Sequence, residues 1–292
     1  MKAYLFPGQG SQFMGMGKDL YESNSLAKKL FQYYNDILGF QITYIMFNNP
    51  NNILEQTKYT QLALYIYSVI QIKISKKFKP DMVAGHSLGE LSALTAINVL
   101  SFEDGVMLVY KRASIMQKIC KSSHGIMAAI FGLEDDMIEK ICKKDKGIIV
   151  PSNYNYNGQL VISGDKQSMK RVCSILQKIG AKKIIYLSVD GAFHSPIMEP
   201  ARKKMESIIK NISFQNPKCP IYQNFNGKAV YRPNEIKNNL INQLTSAVKW
   251  KQSIQNMILN GASSFQIIEP GNILKGIVKK ILTNIEKRYK II

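Results

Sequence analysis

The sequence predicts an α/β protein, and three observations carry that expectation. Short apolar runs of strand length alternate with longer segments whose apolar residues recur at helical intervals. One such run ends in Gly85-His86-Ser87-Leu88-Gly89 and passes directly into a helical segment, the strand–turn–helix context in which a G-x-S-x-G sequence has meaning. Between residues 125 and 190 the order becomes strand, helix, strand, strand, helix, strand, a split-βαβ unit of ferredoxin-like type. At 292 residues the chain exceeds the usual ~100–200 for one domain. The expected organisation is a large domain from 1–124 and 191–292, with a small subdomain inserted at 125–190.

Taken in order, residues 2–6 read as a short buried strand, followed by a glycine-rich loop over 7–17. The next 60 or so residues read as mostly helical, with helices over 26–38 and 60–78. Residues 82–84 form an apolar strand, and 88–96 a helix of small and apolar residues. Residues 104–120 are apolar on more than one face, which predicts a buried helix. Inside the insert, strands are expected over 126–130, 147–152, 160–163 and 183–189, with helices over 134–143 and 166–180. Beyond it come a helix over 200–209, a strand near Ile221, a helix over 233–244 and a strand over 265–268.

Composition narrows the functional classes. A hydrophobic content of 46% with 20% charged residues excludes wholesale disorder. No apolar stretch approaches the ~20 residues that span a bilayer. The N-terminal residues run straight into Pro7-Gly8-Gln9-Gly10, which leaves no room for the apolar region of a signal peptide. A soluble, cytoplasmic protein without membrane association is expected. Cys120, Cys142, Cys173 and Cys219 include no Cys-x-x-Cys pair, which suits neither a disulfide framework nor a zinc site, and they are expected to be inert. The formal charge of +19 would attract an anionic cofactor or an acidic protein. Lysine, asparagine and isoleucine are all frequent, so compositional bias accounts for much of it. With no aromatic-rich basic motif and no Cys/His finger, a nucleic-acid partner is not expected.

The chemistry centres on Ser87. Its flanking glycines permit a strained turn that lifts the hydroxyl clear of the backbone, and the helix that follows offers N–H groups and a favourable dipole to a developing oxyanion. Such a serine needs a general base, and the chain has three histidines. His86 adjoins the nucleophile and points to another side of the turn. His124 lies in a polar run at the domain junction. His194, in Gly191-Ala192-Phe193-His194-Ser195-Pro196, follows a predicted strand where the chain re-enters the large domain. Elimination selects His194. Arg112 is one of five arginines and shares its helix face with Leu108, Ile115 and Ile119. A guanidinium among apolar neighbours needs an anion. Pattern alone leaves open a structural ion pair or a bidentate clamp on a substrate carboxylate.

Pro7-Gly8-Gln9-Gly10-Ser11-Gln12, Gly85-His86-Ser87-Leu88-Gly89-Glu90, Arg112 and Gly191-Ala192-Phe193-His194 occur in that order. So do the Asn-rich segment 153–157 before Gln159-Leu160-Val161-Ile162, Gln243-Leu244 with Val248-Lys249-Trp250, and Glu269-Pro270-Gly271. Over nearly its whole length the chain resembles the malonyl-CoA:acyl carrier protein transacylase family, of the fatty-acid type or the free-standing polyketide synthase type. The resemblance implies an α/β-hydrolase-like large domain with a ferredoxin-like subdomain. It implies a ping-pong reaction in which Ser87 takes malonyl from malonyl-CoA, with His194 as base and the N–H groups of Gln9 and Leu88 as oxyanion hole. The main-chain carbonyl of Gln243 would orient His194 in place of a carboxylate. Arg112 would bind the malonyl carboxylate, with Asn155 and Asn153 lining the cleft and Phe193 limiting room for an α-methyl group. CoA would leave, and the phosphopantetheine thiol of an acidic acyl carrier protein would accept the acyl group. No permanently bound cofactor or metal is implied, and a monomer is expected.

Leu91 and Asn157 depart from the residues usual in the family, an aromatic and a proline, and could reshape the cleft. Three rival readings remain. A hydrolase clearing stalled acyl groups would keep the fold but tend to lack Arg112. An α/β-hydrolase esterase would need a histidine near the C-terminus, and none follows His194. A non-catalytic binding module would make Ser87 a mere turn residue.

Overall fold

In the computed structural model, which describes residues 1–283, 285 and 289–292, β1 (Lys2–Phe6) is buried along all but its first residue. Its side chains alternate between two cores. Tyr4 and Phe6 face one, while Ala3 and Leu5 face the other. A strand buried on both sides belongs to a parallel sheet covered by helices, and this accounts for its unbroken apolar run.

Helices α1 (Lys18–Ser23), α2 (Ser25–Leu38), α3 (Ile42–Asn48) and α4 (Thr57–Ile74) follow. The side chain of Asn24 caps α2 by accepting the Ala27 N–H, and Gly39 ends it at φ 71°. Helix α4 starts three residues before the predicted 60–78 segment and stops four short of its end. Phe78 leaves the helix to pack edge-on against Tyr4, ring centroids 4.7 Å apart. Next come β2 (Met82–Gly85), α5 (Gly89–Ala96) and α6 (Phe102–Ser123). Ser101 caps α6 by accepting the Asp104 N–H.

The chain then builds β3 (Gly125–Phe131), α7 (Asp135–Lys144), β4 (Ile149–Tyr156), β5 (Gln159–Asp165), α8 (Lys166–Lys178) and β6 (Lys183–Tyr186). These four strands form an antiparallel sheet in the order β4-β5-β3-β6, the ferredoxin-like arrangement. Ala128, Ile130, Leu160 and Ile162 point to a core shared with Ile138 of α7 and Met169 and Val172 of α8. The alternate residues Met127, Ala129 and Val161 face the main core. Strand β6 ends three residues before the predicted 189, because the Val189 N–H turns back to the Leu187 carbonyl. Strand β4 runs four residues past the predicted 152, through two irregularities in its pairing with β5.

The remaining elements are α9 (Glu199–Lys210), β7 (Ile221–Tyr222), β8 (Ala229–Val230), α10 (Pro233–Gln243), α11 (Trp250–Leu259), β9 (Ser264–Ile267), α12 (Ile273–Thr283) and β10 (Lys290–Ile291). The larger sheet has the order β10-β9-β1-β2-β7-β8, parallel except at β7/β8. The small sheet is tied to the segment just before α11, where Tyr154 N–H donates to the Val248 carbonyl and Val248 N–H to the Ser152 carbonyl, at 2.9 and 2.8 Å. The C-terminal ends of β1 and β2 open towards the face of the small sheet that carries Met127, Ala129 and Val161, and an open parallel sheet places its ligand site at such strand ends. Among the described residues no helix is long and apolar enough to cross a membrane.

Candidate active site

Strand β2 delivers the chain into the turn at Ser87, whose φ is +51°. A non-glycine residue held there carries roughly 1–3 kcal/mol of strain. The turn closes only because its flanks are glycine. A Cβ on Gly85 would stand 1.9 Å from the Gly89 carbonyl carbon, and one on Gly89 2.3 Å from the Phe6 oxygen. Ser87 is secured on both sides: its N–H donates to Asn224 Oδ1 at 2.6 Å, and its carbonyl accepts from Gln243 Nε2 at 3.0 Å. Helix α5 begins immediately after it. Among the described residues neither the Leu88 N–H nor the Gln9 N–H has an acceptor, so both donors are free to bind an oxyanion.

His194 also has positive φ, +57°, in the segment that follows β6. The Ser195 hydroxyl donates to the Ala192 carbonyl at 2.7 Å and stabilises this turn. His194 Nε2 lies 2.8 Å from Ser87 Oγ, and Nδ1 lies 2.9 Å from the main-chain oxygen of Gln243. A carbonyl can only accept, so Nδ1 carries the proton and Nε2 presents its lone pair to the serine hydroxyl. Burial, helped by the Arg112 charge, lowers the imidazole to about 3, so it is neutral at physiological pH. This is the protonation state a general base requires.

Arg112 projects from α6 and is only 3% exposed. Its Nη1 donates to Gln61 Oε1 at 2.6 Å, and its Nη2 to Gln243 Oε1 and to Ser87 Oγ, each at 3.1 Å. Every one of these acceptors is uncharged. Among the described residues no carboxylate forms a salt bridge with it. Burial lowers the guanidinium to about 10, which leaves it cationic at neutral pH. Glu90 is near enough to act on Arg112 electrostatically. It is itself fully buried, and burial outweighs both the Asn224 N–H and Arg112 in pushing its carboxyl up to about 8. That shift favours the uncharged carboxyl, and neither of its oxygens hydrogen-bonds to the guanidinium: Oε1 accepts the Asn224 N–H and Oε2 has no partner among the described residues. The structural ion pair that the sequence left open is thus absent among these residues. Gln61 also donates to Gln9 Oε1 at 3.1 Å, which links the arginine to the loop carrying the Gln9 N–H.

Ser87 and His194 open on a cavity of about 340 Å³ between the two sheets. Gly8, Gln9, His86, Asn153, Asn155 and Phe193 supply its other floor and rim residues. Its walls are apolar, from Met127, Ala129, Val161, Leu187 and Val189 on one side and Ile273, Leu274 and Ile277 on the other. His86 turns away from Ser87. Its Nε2 is 3.2 Å from Asn155 Oδ1, and its ring packs edge-on against Trp250.

The acyl transferase domain family matches residues 3–287 of the chain. The malonyl CoA-acyl carrier protein transacylase of Staphylococcus aureus (strain MRSA252) is 38% identical over 282 residues, 96% of this chain and 92% of that protein. The chain belongs to the malonyl CoA-acyl carrier protein transacylase family. The Bacillus subtilis (strain 168) transacylase is likewise 38% identical, over 96% of this chain and 90% of its own length. Among solved members of the family, the Streptococcus pneumoniae enzyme superposes with a TM-score of 0.92 at 36% identity, covering 100% of this chain and 95% of that one. A malonyl-transacylase in complex with its type II PKS acyl-carrier protein gives 0.93 at 32% identity, covering 97% and 93%. The α/β architecture with its ferredoxin-like unit is that of the family.

Within this family fold, the residues singled out from the sequence gather in one place. Ser87, His194, Arg112 and Gln243 are in direct hydrogen-bond contact, while Gln9, Asn153, Asn155 and Phe193 line the cavity. His124 is exposed and ends α6 in a left-handed conformation, away from this cluster. Three polar residues of the site were not anticipated: Gln61, Asn224 and the buried carboxyl of Glu90. Gln61 left a faint trace, as an amide directly before the apolar run Leu62 to Tyr67 of α4. Asn224 left none, because it lies outside any periodic segment.

Proposed function

We propose that this protein transfers a malonyl group from malonyl-CoA to the phosphopantetheine thiol of an acyl carrier protein through an ester on Ser87. The observation that carries this reading is Arg112. A buried cation with no carboxylate partner, 3.1 Å from the nucleophilic oxygen, favours an acyl group that brings its own carboxylate.

In the first half-reaction His194 Nε2 takes the hydroxyl proton as Ser87 Oγ attacks the thioester carbonyl. The N–H groups of Gln9 and Leu88 hold the oxyanion. Collapse of the tetrahedral adduct breaks the C–S bond, and the proton on Nε2 passes to the CoA sulfur. The imidazolium formed on the way is oriented by the Gln243 carbonyl. In the second half-reaction His194 takes the proton of the carrier thiol, the thiolate attacks the ester, and Ser87 recovers its proton. The long apolar walls suit the pantetheine arm that CoA and the carrier share. Phe193, only 6% exposed on the cavity wall, limits room beside the acyl α-carbon and favours malonyl over its α-methyl analogue. The separate core beneath the small sheet supports reading 125–190 as a subdomain inserted in 1–124 and 191–292. A monomer working in the cytoplasm on CoA thioesters, without nucleic acid or a resident cofactor, completes this reading.

The test is the fate of the acyl group. With malonyl-CoA and a phosphopantetheinylated carrier, malonyl-carrier should form far faster than free malonate. Free malonate released equally fast with and without the carrier would instead make the protein a hydrolase.

A further inference from the structure

Asn224 makes contacts that simple packing does not require. It is fully buried, in the loop that follows β7, on a different part of the chain from the Ser87 turn. Its Oδ1 accepts the Ser87 N–H at 2.6 Å, and its Nδ2 donates to the Gly85 carbonyl at 2.7 Å. One amide therefore spans the two peptide groups on either side of His86. Its own backbone is fixed as well: the N–H donates to Glu90 Oε1, and the carbonyl accepts the Lys249 N–H at 3.0 Å. Glu90 is also fully buried and stands on the first turn of α5, the helix that the strained turn leads into. Strand end, turn and helix start are thereby closed into one ring through Asn224.

A serine at φ +51° stays in that conformation only if its surroundings over-determine it. Without Asn224 the half-buried Ser87 N–H loses its acceptor, and the buried Gly85 carbonyl loses its side-chain donor. The turn would relax, and Oγ would move relative to His194 Nε2 and the Leu88 N–H. A displacement of about 1 Å between reacting groups costs on the order of 100-fold in rate.

We propose that Asn224 is a positioning residue of the acyl-transfer site, whose side-chain amide, braced by Glu90, holds Ser87 in its reactive geometry. The inference rests on the reading of Ser87 as the acyl carrier.

The test uses Asn224→Ala and Asn224→Asp in the full chain, with single-turnover loading from malonyl-CoA followed beside thermal melting. Folded Asn224→Ala should load on the order of 100-fold more slowly, with KM for malonyl-CoA changed by less than about threefold. The aspartate is isosteric, and in its acid form it reproduces the pattern of the amide, its C=O accepting from Ser87 and its O–H donating to Gly85. Asn224→Asp should therefore add a pH dependence to whatever Glu90 gives the parent, slow at high pH and recovering as pH falls. A merely structural role would lower the melting temperature without creating that limb. Folded Asn224→Ala loading at the parental rate overturns the proposal. If Asn224→Ala does not fold, the pH profile of Asn224→Asp decides, and a profile parallel to the parent overturns it. Failure of the parent chain itself to load Ser87 would instead remove the reading of Ser87.

Discussion

The Arg112 guanidinium lies 3.1 Å from the Ser87 hydroxyl oxygen, while every side chain it touches by hydrogen bond is neutral. A cation desolvated in this way costs free energy in the empty protein and regains it when an anion arrives. In the proposed reaction, the nucleophile and the selector of its cargo are therefore adjacent.

Arg112→Ala should lower kcat/KM for malonyl-CoA by ~10–100-fold, since a hydrogen bond to a charged group contributes about 1.5–3 kcal/mol. Acetyl-CoA, which has no carboxylate to bind, should lose far less, so the malonyl:acetyl ratio collapses. Arg112→Lys should restore only part of it, because an ammonium cannot form the two parallel bonds of a guanidinium. Competition between the two thioesters measures the ratio directly, and an unchanged ratio would remove Arg112 from acyl selection.

The pH response follows from His194. Its imidazole is lowered from the ordinary 6.5 to about 3, so the base form persists through the acid range in which an exposed histidine would protonate. Loading of Ser87 should stay flat from about pH 7, below the range in which Glu90 ionises, to about pH 5, with no midpoint near the ordinary histidine value. The linkage sign is that of a depressed pKa. The stability contributed by His194, and by His86 with its imidazole lowered to about 4, is present above 6.5 and is lost as pH falls towards those values. Thermal melting across the same range should therefore show acid destabilisation before any loss of the loading rate of the folded protein.

Charge makes a separate prediction about the acceptor. With a formal charge of +19, the protein should recruit an acidic carrier partly through long-range attraction. KM for the carrier should rise with salt as the Debye length shrinks to ~8 Å at physiological ionic strength, whereas KM for malonyl-CoA should move less. A flat salt response would reduce the lysine excess to composition alone.

Ser87, His194 and the ferredoxin-like unit were legible in the sequence because each leaves a local mark. A nucleophile turn needs glycine on both flanks, three histidines allow elimination, and alternation of strand and helix over 125–190 follows from burial on one face. Arg112 was legible only by half. Its apolar neighbours on α6 showed that it is buried, but not that its hydrogen-bond acceptors would be the neutral side chains of Gln61, Ser87 and Gln243. Asn224 was not legible and Gln61 only faintly so, because their contacts reach across 137 and 51 residues of sequence separation. The edge pairs β8 and β10 escaped for another reason: two residues each are too few for any periodicity.

Ser87 is expected to carry malonyl as an ester. The most direct measurement is intact-protein and peptide mass spectrometry after brief incubation with malonyl-CoA and no acceptor. The expected result is a mass gain of one malonyl group, confined to the peptide containing Ser87, absent in Ser87→Ala and discharged on adding the carrier protein. A label that survives Ser87→Ala, or lies on another residue, would contradict it.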